Sequence, residues 1–203
     1  PALFRLMPPV EGCVFGTAGA LDDGGLRKNV PKVIEWFRTA FPNDPDVRLR
    51  VKITPASPPV DTHGDPRIDV IHRSLSSGEL TEWYASLTAF VNGSFGEGFG
   101  LHLLEAMACG RPLISTSFGG VSAFFDRTAG YEVGYRLVEA KNAIYSGNWA
   151  APDDADMIEA MRRVRREKDE AIQFGIRAAE RASSLTWVAM SGRLSERLKD
   201  FAI

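Results

Sequence analysis

The chain has 203 residues, of which 44% are hydrophobic and 25% charged, and its formal net charge is −2. This composition argues against disorder and gives no electrostatic reason to bind nucleic acid or an anionic membrane surface. No apolar run reaches the ~20 residues that cross a bilayer, and two cysteines are too few for a disulfide framework, so we expect a reducing, cytoplasmic location.

Apolar spacing predicts alternating strands and helices through the first half of the chain. Prolines in residues 1–12 predict an extended lead-in or linker, followed by one domain over 13–203. A short apolar strand precedes a glycine-rich loop at 17–27, and helical spacing then begins after Asn29, a candidate N-cap. Residues 47–53 alternate strictly between apolar and charged side chains, which predicts a strand with one buried face.

The second half continues this alternation and ends in helices. The predicted elements are strands at 68–71, 87–91 and 112–115, a helix capped by Ser76 or Ser77, a helix at 101–109, a bent strand or strand pair at 131–138, a loop to Pro152, and helices near 153–168, 169–182 and 186–201. This order predicts an α/β fold, a doubly wound, Rossmann-like parallel sheet with C-terminal helices. Ligands of such sheets bind beyond the carboxyl ends of the strands. The glycine-bearing loops at 16–28, 92–100 and 117–120 are therefore the candidate binding segments.

Residues 94–114 read SFGEGFGLHLLEAMACGRPLI and join a predicted strand to a predicted helix through a glycine-rich turn. Glycines let backbone N–H groups approach a ligand, and the unpaired N–H groups at a helix start favour phosphate. The dinucleotide-binding fingerprint fails, because Leu101 stands where glycine or alanine is required. The chain also lacks the Gly-Lys-Ser/Thr of a nucleotide-hydrolysing loop. Hydride transfer and nucleotide hydrolysis are therefore disfavoured.

Two acidic residues mark this segment. Glu97 lies in the turn, and Glu105 follows eight positions later among apolar helix residues. A carboxylate is costly to bury unless it is paired or hydrogen-bonded, and sugar hydroxyls would supply such bonds. The alternative is that Glu97 is an incidental loop acid and Glu105 a helix-surface acid.

This segment resembles the signature of the retaining, nucleotide-sugar-dependent glycosyltransferases of family 4, which have the GT-B fold. The family pattern has two glutamates with seven residues between them, within a stretch like E-G-F-G-L-P-x-L-E-A-M-A-C-G-x-P-V-I, and residues 94–114 match nearly all of it. Weaker similarity extends to Lys28-Asn29, to residues 75–84 and to the Gly-Gly loop at 117–120. The resemblance implies one half of a GT-B glycosyltransferase, the C-terminal domain that binds the sugar donor.

The resemblance also implies catalytic roles. Glu97 would lie beside the donor sugar, close to the carbon that is transferred. Lys28, assisted by Arg27, would neutralise the diphosphate leaving group. A cation and a helix dipole then stabilise the developing charge, so no metal ion and no other cofactor is expected.

Donor binding would involve further residues of the motif. Glu105 would hold the ribose hydroxyls of the nucleotide. Backbone N–H groups would bind the sugar and the diphosphate, and they belong to Gly98, Phe99, Gly100 and Leu101. The chain departs from the family at His102, which replaces a common proline, and at Arg73, where many members have glycine. It also lacks the arginine that the family places about five residues before the lysine.

The implied reaction transfers a sugar from a nucleotide diphosphate-sugar to a hydroxyl of a sugar, lipid or polysaccharide acceptor, with retention. The family's active site lies between two domains, and this chain matches only the donor-binding one. The alternatives are a non-catalytic nucleotide-sugar-binding module and a subunit that needs a separate acceptor-binding domain.

Three other features each allow two interpretations. Asp154 and Asp156 resemble the metal-binding Asp-x-Asp of another glycosyltransferase class, but acids at 153–156 are also typical of a helix start. The basic stretch 162–168 is expected to be a solvated helix face, with a polyanion contact as the alternative. Trp149 could stack on a base or sugar, or pack within the protein.

Overall fold

The computed structural model describes residues 4–21, 27–140 and 146–199. Its central sheet contains β1 (Cys13–Gly19), β2 (Val47–Ile53), β3 (Ile68–His72), β4 (Ala89–Val91), β5 (Leu113–Ser115) and β6 (Gly130–Glu132). The strands are parallel and lie in the order β3-β2-β1-β4-β5-β6. This is the strand order of a doubly wound Rossmann fold, in which the chain reverses direction across the sheet between β1 and β4. The predicted fold class is confirmed, and the ligand crevice is expected where β1 and β4 end.

Helices cover both faces of the sheet. They are α1 (Val30–Ala40), α2 (Ser77–Ala85), α3 (Leu101–Ala108), α4 (Asp154–Arg166), α5 (Lys168–Ser183) and α6 (Trp187–Lys199), with a 3₁₀ turn at Gly119–Ala123. One buried cluster joins α1 and α4 to the apolar side of β1 and β2. A second cluster joins α2, α3 and α5 to Phe90 of β4 and Leu113 of β5. Burial of both sheet faces explains why the short β4 and β5 are apolar throughout. Every helix in the described segments is too short or too polar to span a bilayer.

The two predicted helix caps have different outcomes. Ser76 caps α2: its side chain accepts from the Glu79 N–H, and the Glu79 carboxylate accepts from the Ser76 N–H. Asn29 precedes α1 but makes no side-chain capping bond, so its predicted side-chain cap is wrong. Asn29 adopts a left-handed conformation (φ 52°), and Pro31 removes one of the N–H groups that a capping side chain could accept.

Two loop predictions are also wrong. β1 continues to Gly19, so the predicted loop at 17–27 begins too early. Residues 148–152 are not a loop but β8 (Asn148–Pro152), which pairs antiparallel with β7 (Tyr135–Glu139) outside the main sheet. The predicted strand pair at 131–138 is in fact β6 and β7, which belong to different sheets. β8 is only five residues long and lacks alternation, because its last four residues are all buried.

The described part of the lead-in, residues 4–12, forms neither helix nor strand and lies across the start of β5. The Met7 N–H donates to the Cys109 carbonyl over 3.3 Å. The Arg111 guanidinium donates to the carbonyls of Met7 and Pro8 over 3.2 and 2.8 Å. Cys109 and Cys13 are both free and buried. The lead-in is thus attached to the domain by one backbone hydrogen bond and by the side chain of Arg111.

The acids at 153–156 start a helix, as predicted. Asp153 is the N-cap of α4, and its Oδ1 accepts from the N–H groups of Ala155 and Asp156 over 2.9 and 3.0 Å. Asp154 accepts from Trp36 Nε1 over 2.9 Å, and Asp156 accepts from the Gly134 N–H over 3.0 Å. All three carboxylates therefore serve local structure.

Asp153→Ala is expected to lower the free energy of unfolding by about 1 kcal/mol, because two N–H groups of α4 lose their acceptor. Asp153→Asn is the matched control and should stay close to wild type, since asparagine caps a helix equally well. Urea unfolding followed by circular dichroism measures both. Equal stability of the alanine and asparagine variants would contradict the capping role.

Candidate functional site

Basic residues from the loop after β1 meet the turn after β4. Lys28 Nζ donates to Glu97 Oε1 over 2.6 Å, across 69 positions of sequence. The two side chains are only 13% and 7% exposed. Arg27 Nη1 lies 3.7 Å from Glu97 Oε2 and donates to the Gly96 carbonyl over 3.2 Å. The structure thus brings together Arg27, Lys28 and Glu97 at the switch point of the sheet.

Backbone bonds hold the two loops in this position. The Phe95 N–H donates to the Arg27 carbonyl over 2.9 Å. Buried Ser94 donates through Oγ to the Arg27 and Gly96 carbonyls, both over 3.1 Å. Sequence reasoning did not single out Ser94, and its only signal is a small polar residue three positions after a buried strand.

The glycine-rich turn leads into α3 as predicted. Gly100 precedes the first helical residue with φ 87°, a conformation that favours glycine. Its buried carbonyl accepts from the N–H groups of Leu103 and Leu104. Gly98, Phe99 and Leu101 are exposed. The first N–H groups of a helix have no partner within the helix, so this edge offers donors and a positive dipole end.

The glycine-bearing loop at 117–120 contacts the turn at 92–100. The Gly120 N–H donates to the Glu97 carbonyl over 3.0 Å. A Cβ atom at Gly120 would lie 2.1 Å from the Gly98 carbonyl oxygen, so only glycine fits here without displacing backbone. Residues 117–120 therefore fix the position of the turn that carries Glu97.

Glu105 lies in a separate environment from Glu97. Tyr84, 1% exposed, donates through its hydroxyl to Glu105 Oε2 over 3.0 Å. Burial raises the pKa of Glu105, while the Tyr84 hydrogen bond and the charge of Lys52 oppose that rise. Sequence reasoning missed the roles of Tyr84 and Lys52. The available signal for Lys52 was a charged residue near the carboxyl end of β2, on its polar face.

Charge and burial compete at Glu97. Burial favours the neutral acid, but the charges of His102 and Lys28 and the hydrogen bond from Lys28 outweigh it, so the pKa of Glu97 is lowered. Burial and the charge of Lys28 lower the pKa of His102 to about 4, so His102 is neutral at pH 7. Lys28 is therefore the partner that keeps Glu97 ionised at that pH. The ionised Glu97 therefore contributes to the stability of the fold at any pH above the ordinary carboxyl pKa. That contribution is lost as the pH falls through the lowered pKa of Glu97.

Three further features of the sequence, Arg73, Trp149 and the basic stretch 162–168, make contacts within the protein. Arg73 pairs with Glu79 over 2.8 Å at the exposed start of α2. Trp149 is buried and packs against Phe95, with 5.9 Å between ring centroids. The basic stretch 162–168 spans the end of α4 and the start of α5. Three of its arginines pair with acids, Arg163 with Glu170, Arg165 with Asp44 and Arg166 with Glu159. Trp149 therefore supports the turn after β4.

A cavity of about 380 Å³ lies at the opposite, amino end of the strands, between the lead-in and α5. Its lining is mostly apolar and includes Arg111. That guanidinium donates to the carbonyls of Leu87, Met7 and Pro8. The cavity shares no residue with the cluster around Glu97, and the candidate site remains that cluster at the carboxyl ends of the strands.

Comparison with known families gives the class of protein. The sequence model described as "Glycosyl transferases group 1" matches residues 24–167. The match covers more than half of the chain and includes Arg27, Lys28 and both glutamates of the motif. The chain belongs to the glycosyl transferases group 1 family.

Curated relatives agree with this assignment. The chain is 37% identical over 91 residues to the D-inositol 3-phosphate glycosyltransferase of Arthrobacter sp. (strain FB24), which covers 44% of this chain and 18% of that protein. It is 32% identical over 114 residues to the enzyme of the same name from Pseudarthrobacter chlorophenolicus, covering 56% and 23%. These matches span about a fifth of the relatives' length.

Solved structures share the fold. Sucrose-phosphate synthase from Thermosynechococcus elongatus superposes with a TM-score of 0.72 at 19% identity, over 98% of this chain and 51% of that one. The C-terminal domain of a glycosyl transferase group 1 protein (LpcC) from Francisella tularensis gives 0.65 at 20% identity, over 90% and 95%. Anabaena HepE in complex with UDP-glucose gives 0.67 at 14% identity, over 94% and 49%. The domain therefore has the fold of one half of a GT-B glycosyltransferase.

Proposed function

We propose that this domain binds the nucleotide diphosphate-sugar of a retaining family 4 glycosyltransferase, which transfers the sugar to an acceptor hydroxyl. The observation that carries the proposal is the convergence of Arg27 and Lys28 on Glu97 beside the start of α3. Two cations and a helix N-terminus at one crevice favour a diphosphate. The structurally similar HepE forms a complex with UDP-glucose, which supports a donor of this class.

In the proposed reaction, negative charge develops on the leaving diphosphate as the bond to the sugar breaks. Lys28 and the N–H groups at the start of α3 would stabilise that charge. Glu97, ionised and beside the sugar, would orient it and stabilise positive charge at its ring. The leaving phosphate can accept the proton of the acceptor hydroxyl, so the step needs no histidine base and no metal ion. The acceptor would be held by a separate domain.

Glu105 would bind the ribose of the nucleotide. Its carboxylate is oriented by Tyr84, which is itself fixed in the core. Burial beside a neutral hydroxyl partner makes the carboxylate a strong acceptor for further hydroxyl groups. This accounts for a half-buried acid in an otherwise apolar helix.

Isothermal titration calorimetry of the chain with UDP, GDP, ADP, CDP and TDP tests the proposal. One nucleotide should bind at micromolar affinity. Glu105→Gln should weaken that binding about tenfold, because a hydrogen bond to a charged group is lost. Glu82→Gln, an exposed glutamate of α2, is the matched control and should not change it.

Binding to none of the five nucleotides would overturn the proposal for this chain. Binding without sugar transfer, even when an acceptor-binding domain is supplied, would instead support the non-catalytic module.

A further inference from the structure

His102 lies in the first turn of α3 and packs edge-on against Phe90, with 5.9 Å between ring centroids. Its Nε2 atom is inaccessible to solvent and has no hydrogen-bond partner within the described segments. Glu97 Oε1 is 3.9 Å away, which is too far for a hydrogen bond. A buried polar atom left without a partner costs free energy, so this placement needs an explanation.

The oxygen that faces His102 is already engaged. Lys28 Nζ donates to the same Glu97 Oε1 over 2.6 Å. A diphosphate bound at the start of α3 would compete for the Lys28 ammonium. The Glu97 side chain is only 7% exposed, so it cannot exchange this donor freely for water. Once Lys28 shifts, Oε1 needs a donor that is already present in the site, because Arg27 lies near the other oxygen, 3.7 Å from Oε2.

We propose that His102 is a positioning residue, whose neutral Nε2–H takes over Glu97 Oε1 when a bound nucleoside diphosphate draws Lys28 away. The inference rests on the proposed function of Lys28 and Glu97. Closing the gap from 3.9 Å to a hydrogen bond needs a movement of about 1 Å. No proton is transferred, because the imidazole donates a hydrogen bond and stays neutral. Glu97 would thereby keep its place beside the donor sugar.

The surrounding charges agree with a neutral donor. Lys28 and Arg27 face His102 from the loop after β1, Lys52 from β2, and Glu97 from the turn after β4. Burial and the three cations lower the pKa of His102 to about 4, against the opposing effect of Glu97. The imidazole therefore carries one N–H at pH 7, and the exchange requires the tautomer protonated at Nε2. The family pattern has proline at this position, and proline has no side-chain donor.

Nitrogen NMR of the chain labelled with ¹⁵N-histidine tests the exchange directly. The chain has three histidines, and His102→Gln assigns the His102 signals. Lys28→Ala without ligand should move the Nε2–H signal in the direction of a stronger hydrogen bond. The tightest-binding of UDP, GDP, ADP, CDP and TDP should move the wild-type signal the same way. Lys32→Ala, which removes a partly exposed lysine of α1, is the control and should not move the His102 Nε2–H signal.

Calorimetry with the same nucleotide separates donation from packing. His102→Leu should weaken binding about tenfold, because Glu97 loses its replacement donor. His102→Gln retains an amide N–H and should stay within about threefold of wild type. Equal binding by both variants, or a His102 signal that binding leaves unmoved, would overturn the role of His102 alone. Failure of every nucleotide to bind the wild-type chain would overturn the proposed function, and this inference with it.

Discussion

Replacing Lys28 by alanine is expected to weaken nucleoside diphosphate binding about 100-fold, because a charge-assisted hydrogen bond to phosphate is lost in a largely buried site. Lys28 is 13% exposed and is held in place by Glu97, so no neighbouring water replaces it easily. Calorimetry of the variant measures the loss. The corresponding nucleoside, which has no phosphate, should bind the variant and the wild type equally.

Two controls separate the charge from general effects of the substitution. Lys32→Ala removes a partly exposed lysine that pairs with Glu35 and Asp154, and it should leave nucleotide binding unchanged. Lys28→Ala should also raise the pKa of Glu97, since burial remains while its main cation at neutral pH is gone. Carboxyl ¹³C NMR of the glutamate-labelled chain reports that shift. An affinity within twofold of wild type would refute the assignment of Lys28 to the diphosphate.

The second large effect is expected at Gly120. In Gly120→Ala the new Cβ would lie 2.1 Å from the Gly98 carbonyl oxygen and 2.6 Å from its carbon, and backbone cannot rotate away as a side chain can. The loop 117–120 must then move off the turn and break the bond from the Gly120 N–H to the Glu97 carbonyl. We expect the free energy of unfolding to fall by about 3 kcal/mol, as for other overpacked sites. Nucleotide binding should fall with it, because the turn is displaced.

Gly98→Ala is the matched control on the other side of this contact. A Cβ at Gly98 meets no atom within 4 Å, so its stability should stay close to wild type. Urea unfolding of both variants measures the difference. Equal stability of Gly120→Ala and Gly98→Ala would show that loop 117–120 can leave the turn at no free-energy cost. That result would contradict the inference that this loop fixes the position of the turn.

The sheet was predictable because its signals are local. Strict alternation at 47–53 gave β2 with correct bounds, since one face of that strand is buried and the other is polar. The motif at 94–114 predicted both the α3 helix and the turn before it. By contrast, β8 at 148–152 carries no alternation, because its burial depends on packing against the turn after β4. Asn29 was assigned a cap from residue type alone, while its backbone conformation and Pro31 decide otherwise.

The candidate site likewise contains residues that the sequence predicts and partners that only the structure shows. Glu97, Glu105 and the glycines between them lie on one continuous segment, so spacing and residue type were sufficient to single them out. The partners of these acids come from distant segments. Lys28 pairs with Glu97 across 69 positions, and Tyr84 pairs with Glu105 across 21.

Sequence alone thus determined the fold class, and it singled out the candidate binding edge of the sheet and the acids of the motif. Tertiary structure alone decided which side chain partners each acid and why, among the described residues, His102 Nε2 is left without a hydrogen bond. The physical reason is range: periodicity and turn chemistry act within a few residues, whereas ion pairing, burial and the resulting pKa shifts depend on how the loops after β1 and β4 meet.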